Sequence, residues 1–345
     1  MSGRALKSAV GIILSVWANL AGMGAAGASE CTLPPMHIAE RPGFGGPPTE
    51  VAIGLIVGDL LNVDDVNQQM TADLFATLEW SDPRLDGLDG CSFQRARVWT
   101  PPITLFNSAV LSTERTQARD QVSVGPDGRV RYSQRYRGEI STYHALHRFP
   151  FDRQSFSILV GSLGEGPSEL LLRTLPEKSA LAQRLNIEGW RITGYQVDAQ
   201  VAFVPTLDAD RSVFAATISA ERMPGFYMFR ILLPLLFIVA MSWAVFWVPP
   251  NRYEFRIGLG ATSMLTVVAF QLAMSNYLPR LGYLTKMDGL IIWATATVFL
   301  TIASTIFTGR MIIKRAGEKA DRLDRAFRIA IPILFFAGWA ILLLV

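Results

Sequence analysis

Four apolar stretches crowd the last third of this 345-residue chain, and they limit what it can fold into more than any other feature. They run over residues 229–248, 257–278, 289–313 and 329–345. A helix needs about 20 residues to cross the hydrocarbon core of a bilayer, and each stretch is near that length. Pro234 and Pro332 lie inside two of them. Membrane helices tolerate this better than soluble ones, because their neighbours re-satisfy the freed backbone. Trp243, Trp247 and Tyr253 cluster where the first stretch leaves the bilayer, as an aromatic belt does. Only 18% of the residues are charged, against about 25% in a typical soluble domain. The acids, glycines and turn residues concentrate before residue 223. The chain therefore divides into a soluble domain, 29–222, and a membrane domain, 223–345.

Two unrelated signals orient it. Residues 1–28 carry Arg4 and Lys7, then an apolar run, then small residues ending at Ala28, the pattern of a cleaved signal peptide. An uncleaved anchor helix is the alternative. From the end of the third stretch to the start of the fourth lie Arg310, Lys314, Arg315, Lys319, Arg322, Arg325 and Arg328, opposed by Glu318, Asp321 and Asp324. That basic excess belongs in the cytoplasm, which places residues 29–222 outside. The expected location is a bacterial inner membrane, with the first domain periplasmic. A net charge of +3 is too weak to argue for nucleic acid. Cys31 and Cys91 can pair in an oxidising compartment or stay apart, and the sequence does not choose.

From Val51 to Ile218 short alternating runs are broken by turn signals, which predicts an all-β sandwich of immunoglobulin-like type. Pro126, Asp127 and Gly128 read as the turn of a hairpin joining 122–124 to 130–136. Glu177–Arg184 reads as a helical turn or a loop. His37, His144 and His147 lack a metal-ligand partner set, and the last two, three apart, would face opposite sides of a strand. The glycine-rich run Gly161–Gly166 has no following Lys-Ser/Thr and reads as a loop, not a phosphate cradle. No metal, cofactor or enzyme chemistry is expected.

The second apolar stretch differs from the rest. Gly258, Thr262, Leu265, Ala269, Leu272 and Asn276 recur at intervals of four and three, so they share one helix face. Glu254 extends the stripe by a turn, and Arg256 lies off it. Small residues at this spacing also permit tight helix packing. A carboxylate at a membrane edge gains meaning when symmetry repeats it into a ring, since acidic rings select cations and apolar constrictions gate by dewetting. One helix cannot enclose a pore, so this reading requires several copies. The competing class is a membrane-anchored sensor that binds a ligand without conducting. A transporter is weaker, since four spans show no inverted repeat.

Several motifs now stand in order. Trp80, Asp82 and Leu85 resemble W-x-D-x-x-L; Trp99, Pro101 and Asn107 resemble W-x-P…N; Phe149–Gln154 reads F-P-F-D-x-Q. Arg222 precedes the first span and Pro279 follows the second. From about Val51 to Val345 the chain resembles the pentameric ligand-gated ion channels, the Cys-loop receptor superfamily, and especially their prokaryotic members. The resemblance implies a homopentamer in lipid, outer sandwiches over four-helix domains, second helices lining the pore, Glu254 as an inner acidic ring and Leu265 as a hydrophobic gate. An acid at that place looks like the cation-selective branch, passing monovalent cations. Asp65 or Asp64, together with Asp152 and Arg222, matches the family's charged cluster where the two domains meet.

Departures from the pattern bear on the stimulus. The animal receptors' bridging cysteines would fall at Thr142 and Phe156, so that bridge is missing, as is a large intracellular domain. At the family's ligand site Phe75 keeps an aromatic, but Gly161 and Leu163 stand where acid and aromatic groups would clasp an amine. Thr104 replaces an acid, and Phe203 and Arg211 sit near the capping loop. Positions tied to proton gating in a relative read as Gln68 and Val267, which do not titrate. Arg135 and Arg211 would suit an anionic ligand. The agonist stays unidentified.

Overall fold

The computed structural model describes residues 31–33, 40–112, 120–183, 185, 187–249, 251–275, 281–314 and 317–344. The leader 1–28, His37, Arg184, Asn276, Pro279 and Arg315 lie outside the described residues.

Twelve strands are found among the described residues. They are β1 (Thr49–Asp64), β2 (Gln69–Ser81), β3 (Ser92–Gln94), β4 (Ile103–Leu105), β5 (Ser108–Ser112) and β6 (Gln121–Val124). The others are β7 (Arg129–Ser141), β8 (Arg153–Ser162), β9 (Leu170–Thr174), β10 (Ala180–Leu181), β11 (Trp190–Val204) and β12 (Ala209–Arg222). One sheet runs β10-β1-β2-β7-β6-β3, with β9 also on β1 and β5 also on β7; the other runs β11-β12-β8-β4. Period-two alternation decides which side chains meet between them. Met70, Leu74, Leu78 and Trp80 of β2 point inward, facing Phe156, Ile158, Phe214 and Ile218 of the other sheet in one continuous core. This is the expected all-β sandwich. The hairpin turn is also present, with Asp127 and Gly128 at φ 58° and 65°.

The motifs do structural work. Asp82 accepts from the Arg84 backbone N–H at 3.1 Å and from its guanidinium at 2.8 Å, tightening the 3-10 turn Pro83–Leu85. Asn107 donates to the Ser141 and Ser157 carbonyls and accepts from the Leu159 N–H, so one amide ties β7 to β8 across the two sheets. Cys31 and Cys91 form a disulfide.

Two local expectations are corrected, and a third, the helical turn or loop at Glu177–Arg184, is met at its start and corrected after it. Residues 176–181 form a 3-10 turn, Pro176–Lys178, and then β10, which pairs parallel to β1 at Ile56 and Val57. Gly161 and Ser162 end β8 and are not loop. His144 and His147 lie between β7 and β8, not on a strand. Bonds from His144 to Thr142 and Asp65, and docking of His147 and Phe149 on the third helix, hold this segment out of the sheets.

Four helices follow, each long and apolar enough to cross a membrane: α1 (Gly225–Trp247), α2 (Tyr253–Met274), α3 (Lys286–Ile313) and α4 (Gly317–Leu344). α1 widens into a π-helical turn at Met228–Leu232, just before Pro234, which has no N–H to donate. α2 packs on α1 and α3, while α4 packs mainly on α3. Gly260 of α2 makes this closeness possible, because a Cβ there would meet Ile302 at 2.9 Å. α4 begins twelve residues before the apolar stretch expected at 329. Lys319, Arg322, Arg325 and Arg328 are therefore helical rather than loop residues, because Ala320 and Asp324 give this charged segment a buried face.

Candidate functional site

Where the sandwich meets the helices, the last residue of β12 is a buried arginine. Arg222 donates from Nε to Asp152 Oδ1 at 2.8 Å and from Nη1 to Asp65 Oδ2 at 2.7 Å. Its guanidinium carbon lies 4.1 Å from the Trp190 ring centroid and 4.9 Å from that of Phe149. Of the two adjacent acids it is Asp65 that enters the cluster. Asp64 instead accepts from the Val66 and Asn67 N–H groups and closes the β1–β2 turn. Burial alone would raise the Asp65 carboxyl, but the bonds from His144 and Arg222 and the charge of Arg222 outweigh it and hold it below the ordinary range. The F-P-F-D-x-Q signature thus has a physical reading. Asp152 pairs with Arg222, while Gln154 pins the preceding loop by exchanging hydrogen bonds with the Ala145 backbone at 2.9 and 3.2 Å.

Sequence reasoning missed His144. It is fully buried, one ring nitrogen 2.7 Å from Thr142 Oγ1 and the other 3.1 Å from Asp65 Oδ1. Its ring meets Phe156 edge-on at 5.4 Å. Thr142 and Phe156 are the two positions where the resemblance would put bridging cysteines, and here they flank a histidine instead.

The same loop docks on α3. A helix leaves its first four N–H groups without intrahelical partners. The N–H of Lys286 goes to the His147 carbonyl and that of Met287 to the Phe149 carbonyl, both at 3.1 Å. Thr285 and Asp288 close a capping box over the rest. Tyr283 stacks on His147 at 4.0 Å and donates to nothing in that contact, while its hydroxyl oxygen accepts the Leu146 N–H at 3.1 Å. Leu146 and Phe149 are buried among Ile231, Leu232, Met287 and Leu290. The outer domain therefore holds α3 by backbone bonds and by a shared apolar core. The Thr285-x-x-Asp288 spacing was the one signal for this that the sequence carried.

On α2 two faces separate. Arg256, Gly260, Ser263 and Val267 are buried at the helical period. Glu254, Gly258, Thr262, Leu265, Ala269 and Leu272 all lie exposed on the other side, Leu265 and Leu272 at 70% each. Gly258 meets nothing within 4 Å, so inside one protomer the tight packing falls to Gly260 and not to the stripe. Arg256 donates to the Val245 carbonyl at 2.9 Å and forms a buried ion pair with Asp324 of α4.

The candidate ligand residues form two groups. Thr104 and Val213 flank Gly161 in the four-stranded sheet, and Arg211 reaches the Leu163 carbonyl at 3.4 Å beside the exposed Phe203. Phe75 and Arg135 are direct cross-strand neighbours in the other sheet. Gly161 is a steric requirement, since a Cβ there would collide with the Phe106 ring. The Arg135 guanidinium lies over Phe75 and donates to Asp73 Oδ1 at 2.8 Å. It is therefore not the uncommitted cation that an anionic ligand would want. One protomer does not bring the two groups together. Glu165, not singled out in the sequence, lies on the same loop as Leu163; burial, and then the charge of Glu169, pushes its carboxyl up.

A sequence model of the neurotransmitter-gated ion-channel ligand binding domain matches residues 34–222, and one of the neurotransmitter-gated ion-channel transmembrane region matches 231–319. The chain belongs to this family, the Cys-loop receptors. Similar curated proteins include a proton-gated ion channel of Gloeobacter violaceus, 24% identical over 315 residues, covering 90% of this chain and 85% of that one. A gamma-aminobutyric acid receptor subunit beta of Caenorhabditis elegans is 24% identical over 272 residues, 76% of this chain and 49% of its own length. The human subunit rho-3 is 24% identical over 314 residues, covering 87% and 67%. This Cys-loop receptor is thus a multi-pass membrane protein of a channel family, not an enzyme. Its relatives carry different stimuli in their names, so membership alone does not supply the agonist.

Proposed function

We propose that this receptor is the subunit of a homopentameric, cation-selective channel in a bacterial inner membrane. A stimulus at the periplasmic sandwich opens a pore lined by α2. Glu254, Gly258, Thr262, Leu265, Ala269, Leu272 and Asn276 would face the permeating monovalent cations, with Leu265 as the constriction. Asp65, Asp152, Arg222 and Pro279 would pass the stimulus on, and Asp64 would shape the turn beside them. The observation that carries the reading is the division of α2. Its acidic residue stands on the exposed stripe while its basic residue is turned into the bundle.

The agonist site would form between copies, where Thr104, Gly161, Leu163, Phe203 and Arg211 of one subunit face Phe75 and Arg135 of the next. A membrane-anchored sensor without conduction has less support, because an anchor has no need of a polar stripe ending in an acid. Reversal potentials of the purified protein in lipid, measured across a NaCl gradient, test the proposal. Reversal near the sodium potential is expected, and reversal near the chloride potential would overturn it. Recordings across pH, calcium and a ligand panel would identify the stimulus.

A further inference from the structure

The buried charge at the inner end of α2 is not explained by packing. A bare guanidinium inside a helical bundle costs several kcal/mol, and in membrane segments a buried ionisable group usually has a specific partner and task. Arg256 is 1% exposed and Asp324, one helix away on α4, is 4% exposed. Besides this pair, the Arg256 Nε caps the Val245 carbonyl at 2.9 Å, and Arg328, one turn after Asp324, donates to the Phe246 carbonyl at 2.6 Å. Two arginines thus hold the C-terminal carbonyls of α1, where cations are favoured. Asp324 is the acid set among them.

Arg256 follows Glu254 by two residues, about 3 Å of helix rise. The two charges therefore sit at nearly the same level of the membrane on opposite sides of α2. If nothing balanced Arg256, a ring of positive charge would stand behind the ring of glutamates and cancel much of its field. A cation two residues from the acid would then repel the ions that the acid attracts.

We infer that Asp324 is a selectivity-setting residue: by neutralising Arg256 from α4, it leaves Glu254 as the charge that ions meet at this level. Asp324 never touches the permeating ion and acts as a positioning and balancing group. The inference rests on the cation-channel reading above. It also gives α4 a part in permeation, although that helix packs mainly on α3 and away from the striped face.

Reversal potentials of wild type, Asp324→Asn and the double variant Arg256→Gln/Asp324→Asn, each as the full chain in planar lipid bilayers, test it. Asp324→Asn should lower the cation-over-anion permeability ratio at least about threefold, since an unbalanced charge is repeated in every subunit. The double variant, which buries no charge, should restore the wild-type ratio. A purely structural role for Asp324 would alter expression or open probability and leave the ratio unmoved, which would overturn the inference. So would a double variant whose ratio departs from wild type. If Asp324→Asn does not assemble, Asp324→Ser removes the same charge with room for water and carries the same expectation. A wild-type channel that follows chloride would overturn the cation reading and this inference together. A sodium-following wild type with an unmoved Asp324 variant overturns the inference alone.

Discussion

Arg222 and Asp152 are joined twice: the guanidinium donates to the carboxylate at 2.8 Å, and the Arg222 backbone N–H donates to the Asp152 carbonyl at 3.1 Å. The end of β12 and the start of β8 are thereby locked in register where the chain turns into α1. Breaking a buried pair costs about 3–5 kcal/mol when the other charge is left alone; Arg222 keeps Asp65, so losing Asp152 by itself should cost less. Asp152→Asn should therefore lower the thermal midpoint of the outer domain and separate binding from opening. Melting curves together with stimulus-response currents measure both effects, and an unchanged midpoint would show that the pair contributes little.

Asp65 sets the acid limit of this junction. Its folded carboxyl is held below the ordinary value of 3.8. The stabilisation is accordingly complete above the unfolded carboxyl range and is lost as pH falls through the lower folded value. Denaturant midpoints followed by tryptophan fluorescence should hold steady from neutral pH to about pH 5 and fall on further acidification. Trp190, whose ring centroid lies 4.1 Å from the Arg222 guanidinium carbon, contributes to that signal at the junction itself. Asp65→Asn should flatten that acid limb.

Leu265 stands 70% exposed at the middle of the α2 stripe. Placing a hydroxyl there would wet an apolar constriction. Leu265→Ser should raise spontaneous open probability by about tenfold, roughly 1.4 kcal/mol in the closed-to-open balance. Single-channel recording without added ligand gives the answer, and a silent variant would move the constriction elsewhere.

Gly161 has the Phe106 ring where a side chain would go. Gly161→Glu, which would install an acid near the end of β8, should destabilise the sandwich by about 1–3 kcal/mol through overpacking. Adding Phe106→Ala should recover part of that loss if the clash is its cause. Chemical denaturation of the two variants separates steric from electrostatic effects.

Much of this molecule was legible because its patterns repeat. The spans are apolar runs, the sandwich and the α2 stripe are periodicities, and the hairpin is a turn signal, all of them local information. The Asp152 and Arg222 positions were legible through ordered motifs. What stayed hidden depends on partners distant in the chain. His144 looked like a strand residue because nothing in its neighbourhood announces Asp65, 79 residues away. Arg135 looked available because Asp73 lies on another strand. Arg256 was only off the stripe until Asp324, 68 residues on, was found beside it.

By itself, then, the sequence determined which segments are apolar enough to cross a membrane, which segments alternate, and which face of the second helix is unlike the others. These follow from the solvent preferences of single residues, summed along short windows. Tertiary structure alone decided which charges are neutralised. It chose Asp65 over Asp64, joined Cys31 to Cys91, docked the β7–β8 loop on α3 and buried Arg256 against Asp324. The physical reason is that a charge or thiol has no fixed role until its surroundings set its solvation and its partner, and those surroundings are assembled only when distant segments meet.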